Sequence, residues 1–279
     1  MSDEQNDDEH KVQHVARALV KTALCLEYGR NKISRTDVLK ALVDPSSTMS
    51  RSARIDTYKS ALREANTRLQ EQFGMKLVAL PEKTTAEGGS GRRAKAKKRQ
   101  GDSSDRLENA DDLVLVSTLD EKYRRLFEAS EGDSYTGYIA VSLLFLALFN
   151  GSMPKPKLIE LFRLKLQITS DDHIQDAIVS PFAKGNGVEA LVLRMRRDGY
   201  VTIEKIATSQ TTEEIVSIGP RAKVEFTVES LYNVYTEIYG QTNAGVRAML
   251  QSHFNGNENE NQTENETNNN DNSNTNNDS

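Results

Sequence analysis

Three segments of the sequence carry clusters of arginine and lysine residues. Such side chains can bind the phosphates of a nucleic acid. Residues 187–198 read GVEALVLRMRRD, where apolar side chains recur at helical spacing and arginines surround them. With one lysine from the strand that follows, the predicted phosphate contacts are Arg194, Arg196, Arg197 and Lys205. Glu189 and Asp198 lie among these residues, so a solvated helix face is the alternative.

A second basic set lies on a long helix predicted over residues 51–73. Its apolar stripe, at steps of three and four residues, is Ile55, Tyr58, Leu62, Ala65, Leu69 and Phe73. The basic residues on its other faces are Arg54, Lys59, Arg63 and Arg68. Contact with DNA and contact with a protein partner both remain open for this surface.

The third set lies within residues 81–110, which read PEKTTAEGGSGRRAKAKKRQGDSSDRLENA and show no apolar period. A segment of about 30 residues is too long for a structureless loop inside one compact domain, so we predict a flexible interdomain linker. Its basic cluster is Arg92, Arg93, Lys95, Lys97, Lys98 and Arg99. Nuclear import and DNA tethering both fit this cluster, and a self-repelling linker is the alternative.

Charge is unevenly distributed along the chain, whose formal net charge is -5. Residues 1–11 and 255–279 carry net charges of -4 and -6 and almost nothing that could be buried, so we predict two disordered acidic tails. Residues 12–80 carry +6 and residues 81–106 add +4, whereas residues 107–254 carry -5. This asymmetry favours a polyanionic partner for the first half and the linker.

The sequence contains no arrangement of residues that indicates catalysis or a cofactor. Cys25 is the only cysteine, which excludes a disulfide within the chain and a cysteine-rich zinc site, and we expect it to be a buried, inert thiol. The histidines without ligand spacing are His10, His14, His173 and His253. Gly88–Gly91 lacks the strand and the Gly-Lys-Ser/Thr of a phosphate loop. We therefore predict no enzymatic activity, no metal and no cofactor.

The chain begins with acidic rather than basic and apolar residues, which argues against a signal peptide. Its longest apolar run, Ile139–Phe149, is far shorter than the roughly 20 residues that a membrane span needs. We expect a soluble intracellular protein.

The first half reads as helix, helix, long helix and strand. Apolar spacing predicts a helix near 12–28, and Ser34 with Asp37 predicts a capped helix over 35–43. After the long helix, Gly74 is a stop and residues 75–78 read as a strand. This order is typical of a winged helix-turn-helix unit, which we predict over residues 12–80.

The second half repeats this plan over residues 111–254. The nearly all-apolar helix 135–149 must be central, and a second helix follows two prolines. The other predicted elements are a helix over 187–198, strands over 200–204 and 214–218 around a polar turn, and a last helix over 221–252. The fold class is therefore mainly α with small β-wings, in two tandem winged-helix domains.

Several short motifs in this order resemble the MAGE homology domain. In the second half they are Asn150-Gly151 after the buried helix, Asp198-Gly199-Tyr200-Val201 at the start of the wing, and Ile218-Gly219-Pro220-Arg221-Ala222 at its end. The family has a tryptophan where this chain has Ile218. In the first half they are Ile33-Ser34-Arg35 and Phe73-Gly74-Met75-Lys76-Leu77.

The resemblance covers about residues 12–250 and implies a non-enzymatic subunit of the SMC five-six DNA-repair complex, in the nucleus and on chromatin. It implies three kinds of partner: a RING-type subunit, a kleisin subunit that leads to the SMC ATPases, and double-stranded DNA. It further implies that a kleisin helix docks in an apolar groove of the second half. For Arg221 we favour a structural role over a phosphate contact.

Two alternatives stay open from the sequence. One is a free-standing winged-helix DNA-binding regulator, although the predicted recognition helices lack an obvious set of side chains directed at base edges. The other is a MAGE-type regulator of a RING ubiquitin ligase that acts away from chromatin.

Overall fold

The computed structural model of the protein describes residues 2–43, 49–81, 103–120, 134–166, 187–207 and 212–254. These residues divide into two compact units, one comprising Met1–Asp133 with Arg197–Gly199 and the other Ser134–Arg196 with Tyr200–Ser279. Each unit has its own apolar core. The predicted composition, mainly helix with small antiparallel sheets, is confirmed.

The first unit is built around one long helix. In chain order its elements are α1 (Ser2–Tyr28), β1 (Ile33–Ser34), α2 (Arg35–Val38, continued by a π-helical turn at Leu39–Val43), α3 (Arg51–Phe73), β2 (Met75–Ala79), α4 (Ser103–Asn109) and β3 (Asp112–Ser117). The predicted helix over 51–73 is confirmed at both ends. Its N-cap is Ser50, whose hydroxyl accepts a hydrogen bond from the Ala53 amide, and Gly74 closes it in the left-handed conformation.

The sheet of the first unit corrects the predicted domain boundary. β3 lies between β1 and β2 and pairs with both, with Leu77 opposite Leu115. The boundary between residues 110 and 111 is therefore wrong, since β3 belongs to the first unit. α4 also lies within the predicted linker 81–110. Strand pairing links residues far apart in sequence, and β3 buries Leu113 and Leu115 in this core.

α1 corrects a second prediction. Its backbone is helical from Ser2, so residues 2–11 are not the disordered segment expected from their composition. Extending an existing helix requires less free energy than starting one, and Val15, Ala16, Leu19 and Ala23 anchor the helix in the core. The predicted tail 255–279 lies outside the described residues.

The second unit repeats the sheet topology of the first. Its elements are α5 (Ser134–Leu148), β4 (Ser152–Pro154), α6 (Lys155–Lys165), α7 (Gly187–Arg197), β5 (Val201–Ala207), β6 (Thr212–Ile218), α8 (Ala222–Glu225), α9 (Val228–Tyr239) and α10 (Ala244–Phe254). In both sheets the first strand in chain order forms one edge, the second strand forms the other, and the third strand lies between them.

α5 is the centre of the second core. The side chains of Ile139, Leu143, Leu144 and Leu146 are buried, whereas Phe149 just after the helix is 39% exposed. These four residues of α5 are thus core rather than groove, a distinction that apolarity alone does not make. Within the described residues no helix is long and apolar enough to cross a membrane.

The predicted last helix over 221–252 is wrong, because three helices occupy it. Phe226 is extended, and Thr227 and Ser230 form a capping box that starts α9. Gly240 ends α9 at a φ of 66°. At the start of α10, the Asn243 side chain accepts a hydrogen bond from the Gly245 amide. A continuous apolar period hides such breaks, because these caps depend on side-chain hydrogen bonds.

Candidate nucleic-acid interface

The three predicted phosphate contacts on α7 have different surroundings. Arg194 lies over the ring of Tyr135, with its Cζ atom 3.7 Å from the ring centroid. Arg197 donates from Nε to the buried carboxylate of Asp198 at 2.9 Å. Arg196 is exposed and has no ion pair with a described residue. Of the three guanidinium groups, only that of Arg196 has no ion pair or ring contact with a described residue.

Lys205 on β5 projects from the wing. Its Nζ atom is 3.7 Å from Oε1 of Glu214, and its side chain is 72% exposed. The same glutamate accepts a hydrogen bond from Lys155 at 3.0 Å, and Lys155 also donates to Glu189 at 2.6 Å. The bond to Glu189 raises the pKa of the Lys155 ammonium, and the bond from Lys155 lowers the pKa of Glu214. This ion cluster joins α6, α7 and β6.

A cleft of 810 Å³ lies beside this cluster, between α6, α7 and the wing. Its four carboxylates are those of Glu160, Glu189, Glu213 and Glu214, and its cations are Lys155, Arg163 and Lys205. Because acids outnumber bases here, the cleft does not suit a phosphate backbone. Lys205 stands at the edge of an acidic cleft rather than in a basic groove.

Two of the predicted contacts on α3 hold a buried carboxylate. Arg63 donates from Nε to Glu108 on α4 at 2.5 Å, and Lys59 lies 3.4 Å from the same side chain. Glu108 is 4% exposed. This pairing fastens α4 to α3 just before β3 enters the sheet. Lys59 and Arg63 therefore stabilise the first unit, a role that their position on the helix did not reveal.

The Glu108 pair makes stability depend on pH. The hydrogen bond from Arg63 holds the pKa of the Glu108 carboxyl below its usual range. A carboxyl with a lowered pKa stabilises the fold above its unfolded pKa and loses this effect as pH falls through the native value. We expect Glu108→Gln to lower the urea midpoint at neutral pH, and the difference from wild type to shrink progressively in acid.

The matched control for this prediction is Glu71→Gln. Glu71 is exposed on α3 and has no ion pair with a described residue. Urea titrations followed by circular dichroism across the acid range would measure both variants. A Glu108→Gln difference that stays constant with pH would contradict the assigned role of this ion pair.

The remaining predicted basic residues include one that forms an ion pair and one that does not. Arg68 pairs with Glu64 at 2.7 Å, one helical turn away. Arg54 is half-buried and forms no ion pair with a described residue. The basic linker cluster, Arg92 to Arg99, lies outside the described residues.

The glycines of the motif provide tight turns. Asn150 and Gly151 have φ values of 62° and 86° and reverse the chain between α5 and β4, and Gly199 has a φ of 87° before β5. Left-handed backbone of this kind favours glycine and asparagine. These residues position the first and second strands of the sheet.

Arg221 of the motif is an internal side chain. It is 1% exposed, and its Nε donates to Oε1 of Glu225 at 2.5 Å. The Tyr200 hydroxyl donates to the other oxygen of Glu225 at 2.6 Å, and the Tyr200 ring lies 5.5 Å from the Arg221 guanidinium carbon. Gly219 and Pro220 immediately precede Arg221 in the chain. The Gly219 amide donates a hydrogen bond to the Tyr200 carbonyl. The structural role favoured for Arg221 is the one that this geometry supports.

Sequence reasoning missed two features. Glu108 lies within the predicted linker 81–110, and only its partners across the fold identify it as buried. Cys25 is exposed, not buried as expected, because it lies on the outer face of α1. The helical period from His10 to Tyr28 could have revealed that face. No group of three histidine, cysteine, aspartate or glutamate side chains in the described part of the chain could hold a metal ion.

The chain is similar to known proteins in both sequence and fold. The MAGE homology domain matches residues 19–229. Non-structural maintenance of chromosome element 3 from Schizosaccharomyces pombe (strain 972 / ATCC 24843) is 23% identical over 259 residues, which cover 90% of this chain and 72% of that protein. A chain of a solved "Nse1-Nse3-Nse4 complex" is similar in fold at a TM-score of 0.60 and 16% identity, over 90% of this chain and 99% of the other.

Proposed function

The chain belongs to the MAGE homology domain family, and on that premise we propose that it is a non-enzymatic subunit of an SMC five-six chromosome-maintenance and DNA-repair complex. One observation carries the proposal: similarity to a chromosome-maintenance element extends over 90% of the chain. The match includes both units and the interval between them. A shared isolated domain would match only one of them.

We infer that each unit is a winged helix. Among the described residues of each, three helices precede a strand that pairs with the last strand of a three-stranded antiparallel sheet. In the second unit β5 and β6 form a hairpin that projects from the sheet in the manner of a wing. In the first unit β2 and β3 take the same places. The tandem arrangement gives two surfaces on which different subunits can dock.

The proposed protein partners are a RING-type subunit and a kleisin subunit, through which the chain joins the SMC ATPases. The similar solved chain comes from an assembly whose name contains three subunits. Because α5 is core, a kleisin helix would need apolar side chains elsewhere in the second unit. Large exposed apolar residues described there are Phe149, Leu164, Leu193, Ile206, Ile238, Tyr239 and Met249. Any ligase chemistry belongs to the RING partner.

Double-stranded DNA is the third proposed partner and implies a nuclear, chromatin-associated protein. Within the predicted set, Arg54 and Arg196 have no ion pair with a described residue, whereas Lys59, Arg63 and Arg68 hold glutamates. The linker cluster would add sequence-independent attraction to phosphates. The predicted surface therefore contributes fewer free charges than the sequence suggested.

Purification of the tagged chain from its native cells, with nuclease treatment, tests this function. Mass spectrometry should recover a RING protein, a kleisin and two SMC ATPases in comparable amounts. Nuclease removes proteins that are joined only through DNA, and a second purification through the kleisin should return this chain. Recovery of the chain alone, or with transcription machinery, would overturn the proposal and favour a free-standing DNA-binding regulator.

A further inference from the structure

α4 places a carboxylate against two cations of α3. Each oxygen of the Glu108 carboxylate has its own partner: Oε1 accepts a hydrogen bond from Nε of Arg63 at 2.5 Å, and Oε2 lies 3.4 Å from Nζ of Lys59. Lys59 and Arg63 are four residues apart, so they lie one turn apart on the same side of α3. A phosphate that reached this part of α3 would therefore meet two cations that already share a carboxylate.

The cations of this contact are accessible, whereas the carboxylate is not. The side chains of Arg63 and Lys59 are 64% and 29% exposed, and that of Glu108 is 5% exposed. A guanidinium binds a carboxylate or a phosphate with the same donor geometry, and an ammonium accepts either anion. Glu108 and a phosphate from solvent are therefore competitors for the same two groups.

α4 is a short helix with little apolar burial of its own. It spans seven residues, and a helix of that length is not stable alone in water. Its Leu107 is only partly buried against the first core. At its end, Arg35 donates to the Asn109 carbonyl over 3.5 Å, which is long for a hydrogen bond. Segments that bury few apolar side chains are those that open locally while the rest of a fold persists.

We propose that α4 is an autoinhibitory segment, in which Glu108 occupies the phosphate-binding groups of Lys59 and Arg63 until duplex DNA displaces it. The inference rests on the proposed DNA-binding function and adds its regulation. α3 holds the recognition position in the proposed winged helix of the first unit, so its side chains are those that a duplex approaches. Binding there includes the free-energy cost of moving α4 and is weaker than two accessible cations would give.

The first experiment removes the internal competitor with Glu108→Gln. Anisotropy titrations use the full chain and a fluorescein-labelled duplex of mixed sequence at several salt concentrations. We expect the affinity to rise about tenfold and the slope of log affinity against log salt to steepen by about 2, since two phosphate contacts are gained. Circular dichroism melts of both proteins set a temperature at which each is folded.

The matched controls are Asp56→Asn and Glu71→Gln. Both acids are exposed on α3 and form no ion pair with a described residue, so each control removes one negative charge without releasing a cation. They should gain much less affinity than Glu108→Gln, and Lys59→Gln/Arg63→Gln/Glu108→Gln should abolish the gain. Equal gains in the controls, or a gain that persists in the triple variant, would overturn the inference.

A second measurement needs no variant. Hydrogen exchange followed by mass spectrometry compares the wild-type chain with and without duplex. Displacement of α4 predicts that the amides of residues 103–109 exchange faster in the bound chain, because their helix no longer packs on α3. Unchanged or slower exchange there, in a chain that binds duplex, contradicts displacement.

The two proposals fail in different ways. If the wild-type chain binds duplex but Glu108→Gln binds no more tightly than the controls, the autoinhibitory role of α4 is overturned and the proposed function is not. If neither the wild-type chain nor Glu108→Gln binds duplex, the DNA part of the proposed function is overturned as well. Binding by Glu108→Gln alone would support both.

Discussion

Replacing Arg221 with alanine is expected to destabilise the second unit by about 3–5 kcal/mol, the range found when one member of a buried ion pair is removed. The guanidinium is 1% exposed and lies 2.5 Å from the Glu225 carboxylate. Alanine would remove this cation and leave a cavity beside the Tyr200 ring. The neighbouring strand-to-helix turn would lose the side chain that joins it to β5.

Urea denaturation followed by circular dichroism measures this effect. Lys223→Ala is the matched control, since it removes an exposed cation from the same short helix. Arg221→Ala/Glu225→Ala should cost less than the sum of its single substitutions, because neither charge is then left without the other. Loss of duplex affinity in Arg221→Ala without loss of stability would contradict the structural role.

Gly151→Ala is expected to cost about 2 kcal/mol or more. The backbone φ of 86° alone costs a residue with a β-carbon about 1–2 kcal/mol. A β-carbon there would also lie 2.9 Å from Cε1 of His253 on α10, so the imidazole must move. Burial and nearby Lys223 lower the pKa of this imidazole.

Gly137→Ala provides the opposite control. Gly137 lies within α5, is exposed, and has no atom within 4 Å of the position that a β-carbon would take. Alanine at that position should stabilise the unit by about 0.5–1 kcal/mol through better helix propensity. Thermal or urea denaturation of the two variants side by side checks the signs. Destabilisation by both would indicate that the Gly151 effect is not specific to its backbone.

The basic side chains of this chain fall into two groups, those that pair with buried carboxylates and those that have no such partner. Lys59, Arg63 and Arg197 hold carboxylates that would otherwise be buried without a counter-charge. Arg17 and Lys21 on α1 have no such task. A count of positive charges therefore overstates the phosphate-binding surface, and the distribution of internal carboxylates decides which cations remain.

Local patterns in the sequence determined several of the helices, the turn after α5 and the family. The stripe of α3 predicted its ends because spacing and caps act within a few residues. The apolar run of α5 predicted a buried helix, and Asn150-Gly151 predicted its stop. The motif around Gly219 and Arg221 indicated the family without any structure.

Only the tertiary structure decided which residues pair across the chain. β3 joined the first unit because strand hydrogen bonds connect distant segments, which no local period encodes. Glu108 became buried because α4 packs against α3, and this contact converted Lys59 and Arg63 from candidate DNA contacts into structural ions. Residue type sets what a side chain can bind, but packing sets whether it is already bound.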